Sequence, residues 1–424
     1  MIEKVEDSQI TERKIKSYKH FMKPELWSEI QMLAVKLKGK KIIHVNTTSH
    51  RGGGGVAEIL HSLVPLMQDA GLEVEWWKIR PGHDFFEVTK NIHNTLQGDK
   101  VDLTPAEKKL YLAESKKLAR DFEALSADTW IIHDPQPLLL PHFAKNIQPA
   151  ILRLHIDLSK PNQKTWKFLQ PFLDEYKRII FSRHEYVFPG FSSKKAEVFS
   201  PAIDPLTAKN EPMKKEAARM ILENLGMNPE KLIVAQVSRF DVWKDPLGVI
   251  RAYYLAKKEI PNLQLVLVGL TLAADDPEAR EVYEKVKKYA RGDADIFAFY
   301  NPRELQYDNN TLINAVQTGS DVIIQKSLKE GFGLTVTEAM WKKKAVIGGN
   351  VGGIKLQIRN GFNGYLVDSE EECAERIVKI LKDKKLASLL GKRAKESVQE
   401  HFLAPRLLRD YLKLIAETIS ARKV

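Results

Sequence analysis

The sequence predicts an α/β protein of two doubly wound parallel-sheet domains facing a cleft. Three observations carry that prediction. Short apolar runs alternate with helix-period segments along most of the 424 residues, which is the pattern of parallel strands joined by crossover helices. The alternation breaks once, at Ser200–Pro212, a stretch with three prolines and no period that reads as a linker. At about 150 residues per domain, the length accommodates two or three domains. The division is an N-terminal domain over 1–203, a C-terminal domain over 204–404, and a last helix over 405–424 that could pack back onto the N-terminal domain.

In the first domain an apolar run, Ile42–Asn46, leads into a Gly-rich turn, Arg51–Gly55. A helix follows, because Val56, Leu60, Leu63, Val64 and Met67 share one face. Gly71 ends it, and LEVEWWKI is the next strand. Further strands are predicted at Trp130–Asp134, Ile151–Ile156, Arg178–Ser182 and Ala196–Ser200. Beyond the linker, strands are predicted at Lys231–Ser238, Leu263–Gly269, Asp295–Tyr300, Asp321–Ser327 and Ala345–Gly349. A helix with Pro at its first turn fills Pro246–Lys258. Three helical patterns end the chain, and Leu408, Leu412, Ile415 and Ile419 mark one face of the last.

Composition excludes several classes. Apolar residues make up 43% and charged residues 29%, too apolar for a disordered chain. A single cysteine, Cys373, rules out an internal disulfide and any zinc site with two thiolates. The N-terminus has no apolar leader, and the most apolar stretch, Leu263–Ala274, is too short for a membrane span. These features predict a cytoplasmic protein with no membrane partner. The net charge of +11 is spread along the chain and interleaved with acids. With no aromatic-basic stripe, it reads as a solvated surface and disfavours nucleic acid; a smaller anionic ligand, such as a nucleotide or sugar phosphate, fits the charge equally well.

In doubly wound sheets, ligands sit beyond the carboxyl ends of the strands, so residues there are the candidates. The Gly-rich turn would let backbone approach a phosphate at a helix N-terminus. It lacks the G-x-G-x-x-G spacing, and Arg80 stands where an acid would end the second strand, so a nicotinamide site is disfavoured. Arg239 and Lys244, in SRFDVWKDP, suit a diphosphate leaving group; pairing with Asp241 and Asp245 is the simpler alternative. In KEGFGLTVTEAMW, Glu330 and Glu338 flank a turn entering a helix, and Thr335 with Glu338 could instead form a capping box. In HDPQP, Pro135 and Pro137 would hold the chain extended and set His133 and Asp134 on a rigid rim, with Asp134 able to bind sugar hydroxyls. In LHIDLS, His155 and Asp157 would share a side if the strand continues, although a lone strand histidine is usually a core residue. Asp293 and Asp295 precede a strand and read as a turn, and no metal site is predicted.

Together these patches resemble the retaining nucleotide-sugar glycosyltransferases with two Rossmann-like domains, the GT-B architecture. HVNTTSHRGGGGVAEILHSLVPL, IIHDPQP, LHIDLS, SRFDVWKDP and QKSLKEGFGLTVTEAMW narrow the resemblance to trehalose glycosyltransferring synthases and the related trehalose phosphorylases. It runs from about Ile42 to Val367. It implies an acceptor role for the N-terminal domain and a donor role for the C-terminal one. Arg239 and Lys244 would hold the donor diphosphate, with Glu330 at the donor sugar. Gly331, Phe332, Gly333 and Leu334 would bind sugar and phosphate through backbone, and Glu338 the ribose. Gly53 and Gly54 would approach the phosphate, and His155 the donor sugar at an outer hydroxyl. Asp134, Asp157 and Glu58 are candidates for glucose binding. The implied reaction joins glucose from a nucleotide diphosphate glucose, ADP- or UDP-glucose, to free glucose, giving α,α-trehalose reversibly. It needs no further cofactor, and the chain could form a homodimer. The alternatives are phosphorolysis with inorganic phosphate, or another acceptor.

Two departures from the family pattern stand out. The glycine run is four long where three are expected. WKKKAVIGG replaces W-K-G-K-P-V-I-G, and the missing Gly and Pro would loosen that loop.

Overall fold

The fold is taken from a computed structural model, which describes residues 2–50, 55–187, 191, 194–269, 277–301 and 305–420. The chain divides into two compact units, Met1–Ala202 with Ala404–Val424, and Ile203–Leu403. Among the described residues, no helix is long and apolar enough to cross a membrane.

The first unit holds seven strands: β1 (Ile2–Lys4), β2 (Lys41–Asn46), β3 (Glu73–Ile79), β4 (Thr129–His133), β5 (Ala150–Arg153), β6 (Arg178–Phe181) and β7 (Ala196–Val198). Their order is β1-β3-β2-β4-β5-β6-β7. All neighbours are parallel except β1, which pairs antiparallel with β3. The three-residue β1 carries no apolar run of its own, which is why the pattern missed it. Apart from Lys41 and Arg178, strands β2, β4, β5 and β6 are buried and mostly apolar, as a parallel sheet covered on both faces requires, with His44, Asn46, Thr129, His133 and Arg153 the buried polar exceptions. The helix Gly55–Asp69 buries Leu60, Leu63, Val64 and Met67, the predicted face. The helix Ala404–Ser420 buries Leu408, Leu412 and Ile415. It packs against the helices Pro24–Leu37 and Gly55–Asp69, and Arg406 adds a hydrogen bond to Ser200 O of 2.7 Å.

The second unit holds β8 (Leu232–Val237), β9 (Leu263–Val268), β10 (Ile296–Phe299), β11 (Val322–Gln325), β12 (Ala345–Gly349) and β13 (Tyr365–Val367), all parallel, in the order β10-β9-β8-β11-β12-β13. The order therefore reverses between β8 and β11, the point where doubly wound sheets open a crevice. Asp295 and Asp293 form a lysine-paired cluster at the other end of the sheet. Lys257 Nζ lies 3.2 Å from Asp293 and 3.0 Å from Asp295, and Lys231 lies 2.6 Å from Asp295.

The stretch read as a linker is only partly one. Ile203 donates to Phe402 O, and Asn314 Nδ2 donates to the carbonyls of Ala208 and Glu211, at 2.9, 3.0 and 3.0 Å. Residues 203–205, 209 and 210 are buried. Three prolines with little apolar content look like a tether, but here the backbone is held by side-chain amides that no periodicity reveals.

The WKKKA loop is not loosened. Lys343 occupies the position where the family pattern has glycine and takes the glycine's left-handed backbone, φ 58°. Lys344 N still closes onto Ala339 O at 3.1 Å, and Lys343 N onto Met340 O at 3.0 Å, so the helix Leu334–Trp341 ends in a glycine-type stop. A side chain with a Cβ is strained in that conformation. Lys343→Gly is expected to raise the unfolding free energy by about 0.5–1 kcal/mol, read as a higher midpoint in denaturant titration. An unchanged or lower midpoint would mean the lysine side chain contributes more than its backbone costs.

Candidate active site

In the second unit the loops after β8 and β11 meet. Val242–Lys244 forms a single 3-10 turn, closed by Asp245 at φ 49°. Asp245 then caps the next helix, its Oδ1 accepting from Gly248 N at 3.1 Å. Two bonds fix the turn from below. Buried Gln236 donates to Lys244 O at 2.7 Å, and Leu328 N donates to Trp243 O at 2.8 Å. Lys244 Nζ consequently reaches Glu330 Oε2 at 2.7 Å, with the two side chains only 18% and 10% exposed. Ser327 Oγ donates to the same oxygen at 3.3 Å and accepts from Gln325 at 3.0 Å. Arg239 is in the open, its side chain 63% exposed and 3.5 Å from Asp241. The simpler pairing alternative therefore holds for Arg239 alone. Asp245 is taken by Lys326 instead of Lys244.

The turn after Glu330 is held by its carbonyls. Gln357 Nε2 donates to Phe332 O at 2.6 Å and to Gly333 O at 3.2 Å, while Thr337 fixes Gln357 Oε1 at 2.6 Å. Gly333 sits at φ 87°, where a Cβ would also lie 3.1 Å from Glu330 Cγ. Gly353 lies so close beneath that its Cβ would stand 2.3 Å from Phe332 Cα. The Phe332 ring is buried against Phe402, centroids 5.6 Å apart, so Phe332 meets any ligand through backbone. Gly331, Gly333 and Leu334 complete a turn that enters the helix Leu334–Trp341, whose first N–H groups have no acceptor within the helix. Those N–H groups and the positive end of the helix favour an anion.

Glu338 is fully buried on that helix. Lys209 Nζ lies 2.7 Å from its Oε1, and Gln317 donates to its Oε2 at 3.3 Å. The capping box is not formed. Gly333 is the N-cap, and Thr335 Oγ1 donates to Gln325 at 3.3 Å. Sequence reasoning missed Lys209, because it lies in the stretch read as a linker and only the fold brings it to Glu338.

In the first unit, the residues after β4 turn instead of running extended. Leu138 N bonds to Pro135 O and Leu140 N to Pro137 O, at 3.3 and 3.1 Å. Two buried tyrosines anchor the turn. Tyr111 donates to Pro135 O at 2.5 Å and Tyr176 to Leu138 O at 2.6 Å. Prolines fix φ but still allow a turn when carbonyls find donors. Asp134 begins it at φ 64°, its Oδ1 accepting from His155 N at 2.8 Å. Strand β5 ends at Arg153, so His155 and Asp157 lie in the loop beyond it and not on a continuing strand. Asp157 is buried and its Oδ1 accepts from Ser159 N at 2.9 Å. Glu58 lies in the first turn of the helix Gly55–Asp69, half-buried. Gly53 and Gly54 lie outside the described residues.

Burial opposes charge on Asp134. Loss of hydration pushes the Asp134 carboxyl up to about 7, against the pull of the His155 amide and the Arg153 guanidinium. Such a carboxyl holds its proton more tightly folded than unfolded, so the folded chain loses stability as pH rises from 3.8 to about 7. Asp134→Asn keeps the acceptor and tolerates the positive φ. Its melting temperature is expected to gain on that of the parent chain across this window and to level off above it. A difference independent of pH would contradict the burial of the acid.

Comparison with known proteins agrees with this arrangement. Residues 44–188 match the family described as "Trehalose synthase, N-terminal domain", and residues 219–397 match "Glycosyl transferases group 1". The trehalose synthase of Thermococcus litoralis is 44% identical over 95% of this chain and 97% of its own. That of Rubrobacter xylanophilus is 43% identical over 95% and 96%. Among solved structures, an α,α-trehalose 6-phosphate synthase of Burkholderia multivorans shares the fold. Its TM-score is 0.69 at 14% identity, covering 91% of this chain and 98% of that one. At 43–44% identity to the two trehalose synthases over 95% of its length, the chain belongs to the trehalose synthase family of glycosyltransferases.

Proposed function

We propose that the chain transfers glucose from a nucleotide diphosphate glucose to free glucose, with retention at the anomeric carbon, forming α,α-trehalose reversibly. The observation that supports this most is the half-enclosed Lys244–Glu330 pair at the β8/β11 switch point, beside a helix N-terminus. In this reading Lys244, with the exposed Arg239, neutralises the charge that grows on the departing diphosphate. The N–H groups of Gly331 to Leu334 bind its oxygens and the sugar. Glu330 orients Lys244 and faces the sugar, where its charge favours an oxocarbenium-like state. Glu338 takes the ribose hydroxyls, exchanging part of its present bonding to Lys209 and Gln317. The acceptor hydroxyl gives its proton to the leaving phosphate as the new glycosidic bond forms, so the step uses no enzyme nucleophile and draws on no cofactor. Asp134, Asp157 and Glu58 bind glucose, and His155 a sugar hydroxyl. The reading carries a cytoplasmic setting, in keeping with a single buried thiol.

The direct test offers ADP-, UDP- and other nucleotide glucoses with free glucose and identifies the disaccharide. Trehalose with release of the nucleoside diphosphate is expected. Glucose 1-phosphate formed from trehalose and inorganic phosphate, with no nucleotide turnover, would establish the phosphorylase alternative instead. Lys244→Met is expected to lower kcat on the order of 10²–10³-fold, by analogy with removal of one transition-state donor, while circular dichroism shows a folded chain. Parent-level turnover in that variant would remove Lys244 from the reaction.

A further inference from the structure

Three imidazoles stand in a row at the carboxyl edge of the first sheet, on the adjacent strands β2, β4 and β5. His44 lies within β2, His133 ends β4, and His155 follows β5. His44 Nδ1 is 3.0 Å from His133 Nε2, and His133 Nδ1 is 3.0 Å from His155 Nε2. The rings stack at 5.4 and 5.3 Å between centroids, with interplanar angles of 18° and 23°. His44 and His133 are buried, and His155 is the partly exposed outer end.

Each link needs one donor and one acceptor, and a neutral imidazole supplies one of each. The row therefore has two possible polarities. Running outward, His44 Nδ1–H donates to His133, His133 Nδ1–H donates to His155 Nε2, and His155 presents Nδ1–H. Running inward, every proton sits on Nε2, and His155 presents a bare Nδ1. The inner end decides between them. Among the described residues, His44 Nε2 is buried and meets no hydrogen-bond partner. The inward polarity would leave a buried N–H without an acceptor there, whereas the outward one leaves only an unused lone pair, the more readily tolerated defect.

The neighbourhood keeps the rings neutral, as this argument requires. Burial holds His44 at about 3 and His133 and His155 well below their ordinary value, and the guanidinium of Arg153 adds to the effect on the outer two. Among the described residues, the other groups facing the row are the Tyr411 ring, 6.4 Å from His44, and the Asp134 carboxyl, which binds the His155 backbone.

We propose that His44 and His133 are positioning residues that fix His155 as an Nδ1–H donor, so that this corner of the first unit takes an accepting oxygen such as that of a sugar hydroxyl. Among the described residues, His155 Nδ1 makes no hydrogen bond that would compete. The function proposed above is needed only to name the ligand as a sugar. The polarity itself runs against the preference of free neutral imidazole for Nε2–H, which makes it easy to detect.

The test is ¹⁵N-histidine NMR on the full, unliganded chain, where long-range correlations report which ring nitrogen carries the proton. Nδ1–H with bare Nε2 is expected at His155. Nε2–H there, or a doubly protonated ring at neutral pH, overturns the proposal. Two substitutions probe the coupling. His133→Asn retains an amide donor at the Nδ1 position and should keep the His155 pattern. His133→Leu should let Nε2–H appear and lower kcat/KM for glucosyl transfer roughly tenfold, about the worth of one neutral hydrogen bond. If both folded variants leave His155 in the same tautomer, His133 does not set it. If neither folds, the parent spectrum still decides. The nitrogens are read without substrate, so a failed donor screen leaves this result standing, and the reverse holds equally.

Discussion

Lys244 and Glu330 leave water largely behind when they meet, and that loss has to be offset by geometry. A buried ion pair stabilises only if its remaining donors and acceptors are satisfied. The second unit meets that condition with a polar layer. Gln236 fixes the lysine's carbonyl, Ser327 adds a hydroxyl to the glutamate, and Gln325 orders the serine. Gln325 in turn accepts from Thr335 in the next helix. One chain of hydrogen bonds thus links the end of β8, the end of β11 and the N-terminus of the helix Leu334–Trp341. A cation held this way is preorganised, since it needs no rearrangement of surrounding dipoles to meet a second anion.

The same economy of charge does not extend to the first unit. There the strand ends carry an acid pushed toward protonation and three histidines kept neutral. A surface of that kind recognises uncharged hydroxyls through hydrogen bonds. The second unit offers a lysine, an exposed arginine and helix N–H groups, whose chemistry suits an anion such as phosphate. This contrast between the units matches a reaction in which one substrate is a neutral sugar and the other carries a diphosphate.

How much of this was legible in the sequence depended on range. Strand β8 and the helix Pro246–Lys257 are local patterns, and both lie within a residue or so of their predicted ends. Lys244 and Glu330 could be singled out because each follows a strand, yet their mutual contact spans 86 positions and is a property of the fold. Lys209 was invisible for the same reason, since its partner Glu338 lies far along the chain and its own stretch lacks periodicity. HDPQP was misjudged because proline suggests extension, while the turn is decided by Tyr111, from the helix Pro105–Asp121, and Tyr176, from the loop before β6. Lys343 shows the opposite failure. A missing glycine implied a loosened loop, but the helix end imposes the left-handed backbone on whichever residue stands there.

The central claim is that the Lys244–Glu330 pair is where a donor diphosphate is held. A crystal structure of the full chain with a non-transferable nucleotide diphosphate glucose tests it most directly. The account predicts phosphate oxygens within hydrogen-bond reach of Lys244 Nζ and of the backbone N–H groups from Gly331 to Leu334. A nucleotide seated elsewhere on the second unit, with Lys244 bonded only to Glu330, would contradict it.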